Sequence, residues 1–225
     1  MKKKILIIVA HPDDETLGLG GTIAKHKSLG DKIFAISFTD GLSSRTNNQR
    51  EILKRTKSLK EASRVLGFSW IKNLNYDDNE LDKISLLQII REIEKIKKKQ
   101  KFDLIYTHNF SDLNIDHQII SRATLTAFRP ENKNDNPEIR FFELPSSTDF
   151  SSFKINGSFQ PNLYISITKF WQKKVKALDA YKQELKKKPH SRSMEGITNL
   201  AKIRGNQCSH EYAEAFEIVR KIEKN

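Results

Sequence analysis

From Ile5 to Ala10 the chain reads Ile-Leu-Ile-Ile-Val-Ala, an unbroken apolar run with Lys2, Lys3 and Lys4 before it and Asp13, Asp14 and Glu15 just after it. A run of strand length with no polar alternation is what a central parallel strand needs when both of its faces are covered. The same run excludes two rivals. A secretory signal core is not followed at once by an acidic cluster, and no stretch of the chain approaches the roughly 20 apolar residues of a membrane span. Three further strand-length segments follow, at Lys32 to Phe38, Ser69 to Leu74 and Phe102 to Thr107. They alternate with helical patterns over Thr16 to Leu29, Asn47 to Leu66, Ile84 to Lys99 and Ile115 to Phe128, closed by Gly30, Gly67 and Arg129-Pro130 where stop signals belong. Strand and helix in strict alternation build right-handed βαβ units, hence a parallel sheet with helices on both faces.

After a polar surface loop at Glu131 to Glu138, the segments Ile139 to Leu144 and Leu163 to Ile167 read as further strands. The remainder reads as helix, at Lys169 to Lys187, Met194 to Ile203 and Glu211 to Lys221, the last with an exposed apolar face around Tyr212 and Phe216. The expected architecture is therefore α/β: a Rossmann-like three-layer sandwich with a mostly parallel central sheet and a helical C-terminal extension, residues 1–225 forming one domain.

Charge matters next. The 225 residues carry 40 Lys+Arg against 28 Asp+Glu, a formal charge of +12. Clustered cations suggest a nucleic-acid or other polyanion partner, but the lysine clusters sit at the ends of predicted elements. Lys95, Lys97, Lys98, Lys99 and Lys101 close one helix, and Lys182, Lys186, Lys187 and Lys188 close another, where cations favourably meet the helix dipole. Lysine also outnumbers arginine, the residue of bidentate phosphate and base recognition. A solvated basic surface is the better reading, and a polyanion-binding protein the alternative. Cys208 is the single cysteine, so neither a disulfide framework nor a cysteine zinc module is available. A lone thiol and no signal segment together predict a cytoplasmic protein, and any metal must be held by histidine and carboxylate.

If the strands take the order 3-2-1-4-5, the first and fourth are neighbours and the crevice beyond their carboxyl ends is the binding point of such sheets. Both ends carry ligand-type residues: Ala10-His-Pro-Asp-Asp-Glu15 after the first, and His108-Asn-Phe-Ser-Asp-Leu-Asn-Ile-Asp-His117 after the fourth. Neither segment contains a cation. Pro12 holds His11 in extended backbone at the strand tip. Asp14, three residues on, faces the same ion in a tight first turn, while Asp13 points elsewhere. Pro-Asp-Asp-Glu alone is also a good helix start, but a second histidine at the other strand end favours a metal site. His11, Asp14 and His117 make the two-imidazole, one-carboxylate set of a catalytic zinc with open positions, a set that also suits Fe2+. Asp13 is left as the carboxylate that handles the proton.

These residues resemble a known family. Ala10 to Glu15, followed by Thr-Leu-Gly-Leu-Gly-Gly-Thr-Ile-Ala and by Phe38-Thr-Asp-Gly41, is similar to the LmbE-like, or PIG-L, zinc de-N-acetylases. The similarity extends through Arg55 to Gly67 and Asp112 to His117, and more weakly through His190 to Ser193, Arg204-Gly205 and Ala213 to Phe216. The resemblance implies Zn2+ on His11, Asp14 and His117, Asp13 as general base, and removal of acetyl from an N-acetylated amino sugar or its conjugate, with a non-sugar amide as a variant. One departure is evident. Many relatives have histidine where this chain has Asn114, which donates a hydrogen bond but transfers no proton, so Asp13 with assistance from His108 is the expected acid. Asp116 is expected to orient an imidazole. By the same resemblance Arg55, Asn114, Arg192 and Arg204 are candidate substrate contacts, although Arg55 reads more simply as a surface helix cation and Arg192 and Arg204 serve C-terminal helix packing equally well. The glycines of Gly18-Leu-Gly-Gly21 fall inside the helix rather than in the turn before it, so they read as close packing against the sheet and not as a dinucleotide fingerprint. His26, His210 and Cys208 carry no functional pattern.

Overall fold

The computed structural model describes residues 2–45, 48–131 and 135–223. Its strands are β1 (Lys4–Val9), β2 (Lys32–Thr39), β3 (Ser69–Tyr76), β4 (Leu104–His108), β5 (Glu138–Phe142), β6 (Leu163–Ser166) and β7 (Ala213–Arg220). The helices are α1 (Asp14–Ser28), α2 (Gln49–Leu66), α3 (Leu86–Lys99), α4 (Ile115–Ala127), the single turn α5 (Phe153–Asn156), α6 (Trp171–Ala180) and α7 (Met194–Asn206). They form a mixed α/β sandwich around one sheet of order β3-β2-β1-β4-β5-β7-β6. The five strands up to β5 are parallel, and β7 runs antiparallel to both β5 and β6.

The pleat of β1 shows why its run is continuous. Ile5, Ile7 and Val9 enter the core shared with Leu17, Ile23, Leu66, Leu178 and Ile197. Leu6, Ile8 and Ala10 enter the opposite core, with Ile89, Ile93, Ile96 and Ile120. Successive side chains point to opposite faces, so a strand with a helical layer on each side has no polar position.

Three C-terminal expectations are corrected. Glu211 to Lys221 is not a helix: Ala213–Arg220 is β7, inserted between β5 and β6. Ala and Glu favour helix locally, but the edge of β6 offers ladder partners to Ala213–Phe216 and the edge of β5 to Phe216–Arg220, and that outweighs propensity. Phe216 is accordingly fully buried, and Tyr212 stacks on Trp171 at 4.5 Å, so no exposed apolar helix face exists there. The long helix expected to Lys187 stops at Ala180, where the chain turns and directs Tyr181 and Glu184 inward. The C-terminal extension is thus part helix and part sheet.

Smaller differences concern helix starts. α1 begins at Asp14, two residues before the predicted start, and α2 begins at Gln49 behind an Asn48 cap that accepts from the Arg50 N–H at 2.9 Å. The expected start at Asn47 and part of the Glu131 to Glu138 loop lie outside the described residues. The glycines of α1 do pack closely. A Cβ on Gly18 would lie 2.4 Å from the Phe142 ring, and one on Gly21 would lie 2.7 Å from Ile167. Among the described residues no helix is long and apolar enough to cross a membrane.

Candidate metal centre

Because β1 and β4 are hydrogen-bonded neighbours, the segments that follow them meet at the carboxyl edge of the sheet. His11 stands at the tip beyond β1, Asp14 is the first residue of α1, and His117 lies in the first turn of α4. All three are buried. His11 Nδ1 is 3.1 Å from His117 Nε2 and 3.2 Å from Asp14 Oδ2, and His117 Nε2 is 3.5 Å from the same oxygen. The Asp14 carboxylate is held in place by the His11 N–H at 2.8 Å.

The far side of each ring decides what this cluster is suited to. His11 Nε2 lies 3.2 Å from Asp116 and 3.1 Å from Asp78, and His117 Nδ1 lies 3.1 Å from Asp112. Carboxylates there take the ring N–H and fix the tautomer, so the converging Nδ1 and Nε2 present lone pairs to each other and to Asp14. Three such atoms at hydrogen-bond separation need a cation among them, either a shared proton or a metal ion. The residues therefore fit a divalent metal, and the carboxylates behind them are the usual orienting shell.

His11, Asp78 and Asp116 also converge. They are a poorer metal set, because Asp116 already accepts the N–H groups of Asn79 at 2.9 Å and Leu81 at 3.0 Å, while Asp78 accepts from Ser44. Their shared imidazole nitrogen is the one that donates its proton outward.

Ionisation in the cluster is set by its own members. Burial alone would depress the His11 imidazole, but Asp14, Asp116 and Asp78 hold it well above the ordinary histidine range. Burial would raise Asp14, yet His117, His11 and His108 keep it well below the usual carboxylate range. Asp112, raised by burial, is likewise brought below its ordinary value by His117 and Ser147.

Asp13 differs from its neighbour. It precedes α1 with φ 132°, a conformation rare for a non-glycine residue and worth about 1–3 kcal/mol of strain. Its N–H donates to Glu15 at 3.0 Å, and its carboxylate faces the cleft 3.4 Å from Arg55 Nη2. Burial pushes this carboxyl up, against the opposing charge of Arg55. Arg55 is not a surface cation of its helix: it is buried, 3.0 Å from Glu184 and over the Tyr181 ring. Burial also pushes Glu15 up to about 7. The strained backbone turns Asp13 away from the three ligand atoms and into the cleft.

The family model described as PIG-L, GlcNAc-PI de-N-acetylase, matches residues 6–128, more than half of the chain. The chain belongs to the PIG-L family. A diacetylchitobiose deacetylase of Thermococcus kodakarensis is 24% identical over 96% of this chain and 83% of its own length. The solved N,N'-diacetylchitobiose deacetylase of Pyrococcus horikoshii, in complex with its inhibitor MPG, superposes with a TM-score of 0.79 at 23% identity, covering 96% of this chain and 84% of that one. The 4-carboxy-2-hydroxymuconate hydratase of Pseudomonas putida superposes with a TM-score of 0.73 at 20% identity, covering 100% and 99%. One fold thus carries more than one reaction, and the chemistry has to be argued from the residues in the cleft.

That cleft, about 220 Å³, contains Arg55, Asn114 and Arg192 from the residues singled out by the PIG-L resemblance. Asn114 caps α4, its side-chain oxygen accepting from the N–H groups of Asp116 at 2.8 Å and His117 at 3.3 Å, while its amide donates to Asn79. Arg204 is elsewhere: its guanidinium grips Glu143 at 2.7 and 2.6 Å beside Phe159, a structural pair away from the cleft. His108 is also displaced from its expected role. It is completely buried, stacked flat beneath His117 at 3.9 Å, and its Nε2 accepts the Ala10 N–H at 2.9 Å. Burial, aided by His117, depresses it to about 4, so it is neutral, with its Nε2 occupied by the Ala10 N–H.

Six further residues line the cleft that the sequence does not single out for it: Ser44, Arg45, Asp78, Asn79, Glu184 and Lys186. Asp78 and Asn79 follow β3, whose carboxyl end faces the same edge, a signal that inspection of every strand end would have found. Arg45 and Glu184 carry no such signal; they meet at 2.9 Å across a separation of 139 residues. The cation-free segments of the sequence are therefore faced by Arg45, Arg55, Lys186 and Arg192 from other parts of the chain.

Proposed function

We propose that this chain is a zinc-dependent de-N-acetylase that hydrolyses the acetamide of an N-acetylated amino sugar or its conjugate to acetate and a free amine. The observation that carries the proposal is the pairing of a three-donor cluster, His11 Nδ1, Asp14 and His117 Nε2, with an adjacent carboxylate, Asp13, that is excluded from it. Two imidazoles and one carboxylate suit zinc, and the same donors accept Fe2+. The metal would supply Lewis-acid polarisation of the amide carbonyl and a more acidic water.

The chain's own residues do the rest. Asp13 accepts the proton of the attacking water, the carbonyl carbon gains the oxygen, and the carbon–nitrogen bond breaks as the nitrogen leaves with the proton Asp13 returns. Asp13 serves in both directions because Asn114 has no transferable proton and His108 faces Ala10. Arg55 holds the carboxylate at its station, and its own position is fixed by Glu184 and Tyr181. His108 supports the His117 ring from below. The names of the relatives support an N-acetylated sugar as the substrate class.

The test measures bound metal and acetate release from N-acetylglucosamine-type substrates for the wild type, Asp13→Ala and His117→Ala. Expected are loss of turnover with metal retained in Asp13→Ala, and loss of both in His117→Ala. Full turnover by Asp13→Ala, or a wild type that takes up no divalent ion, would refute the proposal. Stronger polyanion binding in Asp13→Ala, without hydrolysis in any form, would favour the alternative of a binding protein.

A further inference from the structure

Of the four cations that line the cleft, two are neutralised inside the protein. Arg45 and Arg55 share the Glu184 carboxylate at 2.9 and 3.0 Å, and Arg55 also faces Asp13. Lys186 and Arg192 differ. Among the described residues neither forms an ion pair, and the buried Arg192 Nε has no hydrogen-bond partner at all. The two are fastened side by side, the Lys186 N–H donating to the Arg192 carbonyl at 3.2 Å, with the Arg192 N–H held by His190 Nδ1 at 3.0 Å. A buried guanidinium N–H without an acceptor is unfavourable unless a ligand provides one.

The cleft is therefore mixed in charge. Its lining combines Asp13, Asp14 and Asp78, which repel an anion and suit a metal, with an ammonium and a guanidinium that form no ion pair among the described residues. Resting on the deacetylase reading above, we infer that Lys186 and Arg192 form an anion subsite, and that the preferred substrate is an N-acetyl amino sugar conjugate carrying a carboxylate or phosphate on the group attached to the sugar. Guanidinium and ammonium together supply charge and several N–H donors to either anion. The same division of charge orients the molecule, with the acetamide toward the carboxylates and the anion toward Lys186 and Arg192. Long-range attraction by the basic surface speeds the encounter.

The experiment compares kcat/KM for acetate release from three probes: methyl N-acetylglucosaminide, carboxymethyl N-acetylglucosaminide and N-acetylglucosamine 1-phosphate. The two anionic arms distinguish carboxylate from phosphate. The wild type should prefer at least one anionic probe over the neutral one by about tenfold to hundredfold, the scale of one or two charge-assisted hydrogen bonds. That ratio should fall toward unity in Arg192→Met and in Lys186→Met, should reverse in Lys186→Glu, and should shrink with added salt. Lys186 is exposed, so its variants fold whatever the fate of Arg192. Equal turnover of neutral and anionic probes, or a preference that survives Arg192→Met with Lys186→Met, overturns the subsite. If no probe is hydrolysed by the metal-loaded protein, the deacetylase reading fails instead. Calorimetric binding of N-acetylglucosamine 1-phosphate then decides the subsite: heat that disappears in Lys186→Met supports it, and no binding overturns it.

Discussion

Lys174→Met should destabilise the protein by about 3 kcal/mol, the lower part of the range for stripping one partner from a buried ion pair. α1 is kinked at Leu19, whose φ −140° and ψ 24° are not helical. Around the kink, Lys174 Nζ donates to the Leu17 carbonyl at 2.8 Å and to Glu214 Oε1 at 2.7 Å, while Glu214 accepts the N–H groups of Gly21 at 3.0 Å and Thr22 at 2.7 Å. The pair thus splints both sides of a bent helix whose first turn carries Asp14. Both residues are buried, Lys174 at 3% and Glu214 at 5% exposure. Methionine keeps most of the lysine stem that packs against Gly20, so the loss is electrostatic and little cavity forms. Urea unfolding in the presence of a chelator isolates the effect from metal linkage. With an m-value of about 2–3 kcal/mol/M, the midpoint should fall by about 1–1.5 M. Lys174→Met with Glu214→Gln should recover about half of the loss, because glutamine still accepts an N–H and no unpaired charge remains buried. A loss below about 1 kcal/mol in the single variant, or a double variant no better than the single one, would refute the splint.

Other consequences are testable directly. Gly18→Ala places a methyl 2.4 Å from Phe142 and 3.2 Å from the Glu143 carbonyl, so thermal unfolding should show a loss of about 1–3 kcal/mol from overpacking. Asp112→Asn removes the carboxylate behind His117 and should weaken zinc binding by about 10–100-fold, read by competition with a chromophoric chelator; unchanged affinity would deny Asp112 its orienting role. Chelation should lower the melting temperature, and stoichiometric zinc should restore it, because the facing lone pairs of His11 and His117 have nothing between them without a cation. A melting temperature indifferent to chelator would count against the cluster as a metal site.

The parallel half of the sheet and its two cores were legible in sequence because they rest on local periodicity. β1 had no polar position to offer, and α3 repeated its apolar residues at helical spacing. Three donors of the candidate metal centre were legible for a related reason. His11 and Asp14 are three residues apart, and the meeting with His117 follows from the adjacency of β1 and β4, itself a consequence of βαβ winding. Helix starts were less legible: Pro12-Asp-Asp-Glu15 reads as a helix start, but the residue at which α1 begins, Asp14, is set by the unusual backbone of Asp13.

Layer order, the converging strand ends and the kinds of side chain those ends carry can be read along the chain, because they depend on spacing within a few residues or on a single winding rule. Only the tertiary structure decided that Ala213–Arg220 is a strand, that Arg204 belongs to Glu143 and that His108 lies beneath His117 rather than in the cleft. It alone decided which of the cleft's cations are already paired, since Glu184 reaches Arg45 and Arg55 from far along the chain. The physical reason is the same in each case. Local patterns record the free energy of a segment against water, whereas a strand that fills a gap, a histidine with its lone pair occupied and an arginine with or without a carboxylate are set by neighbours that only folding supplies.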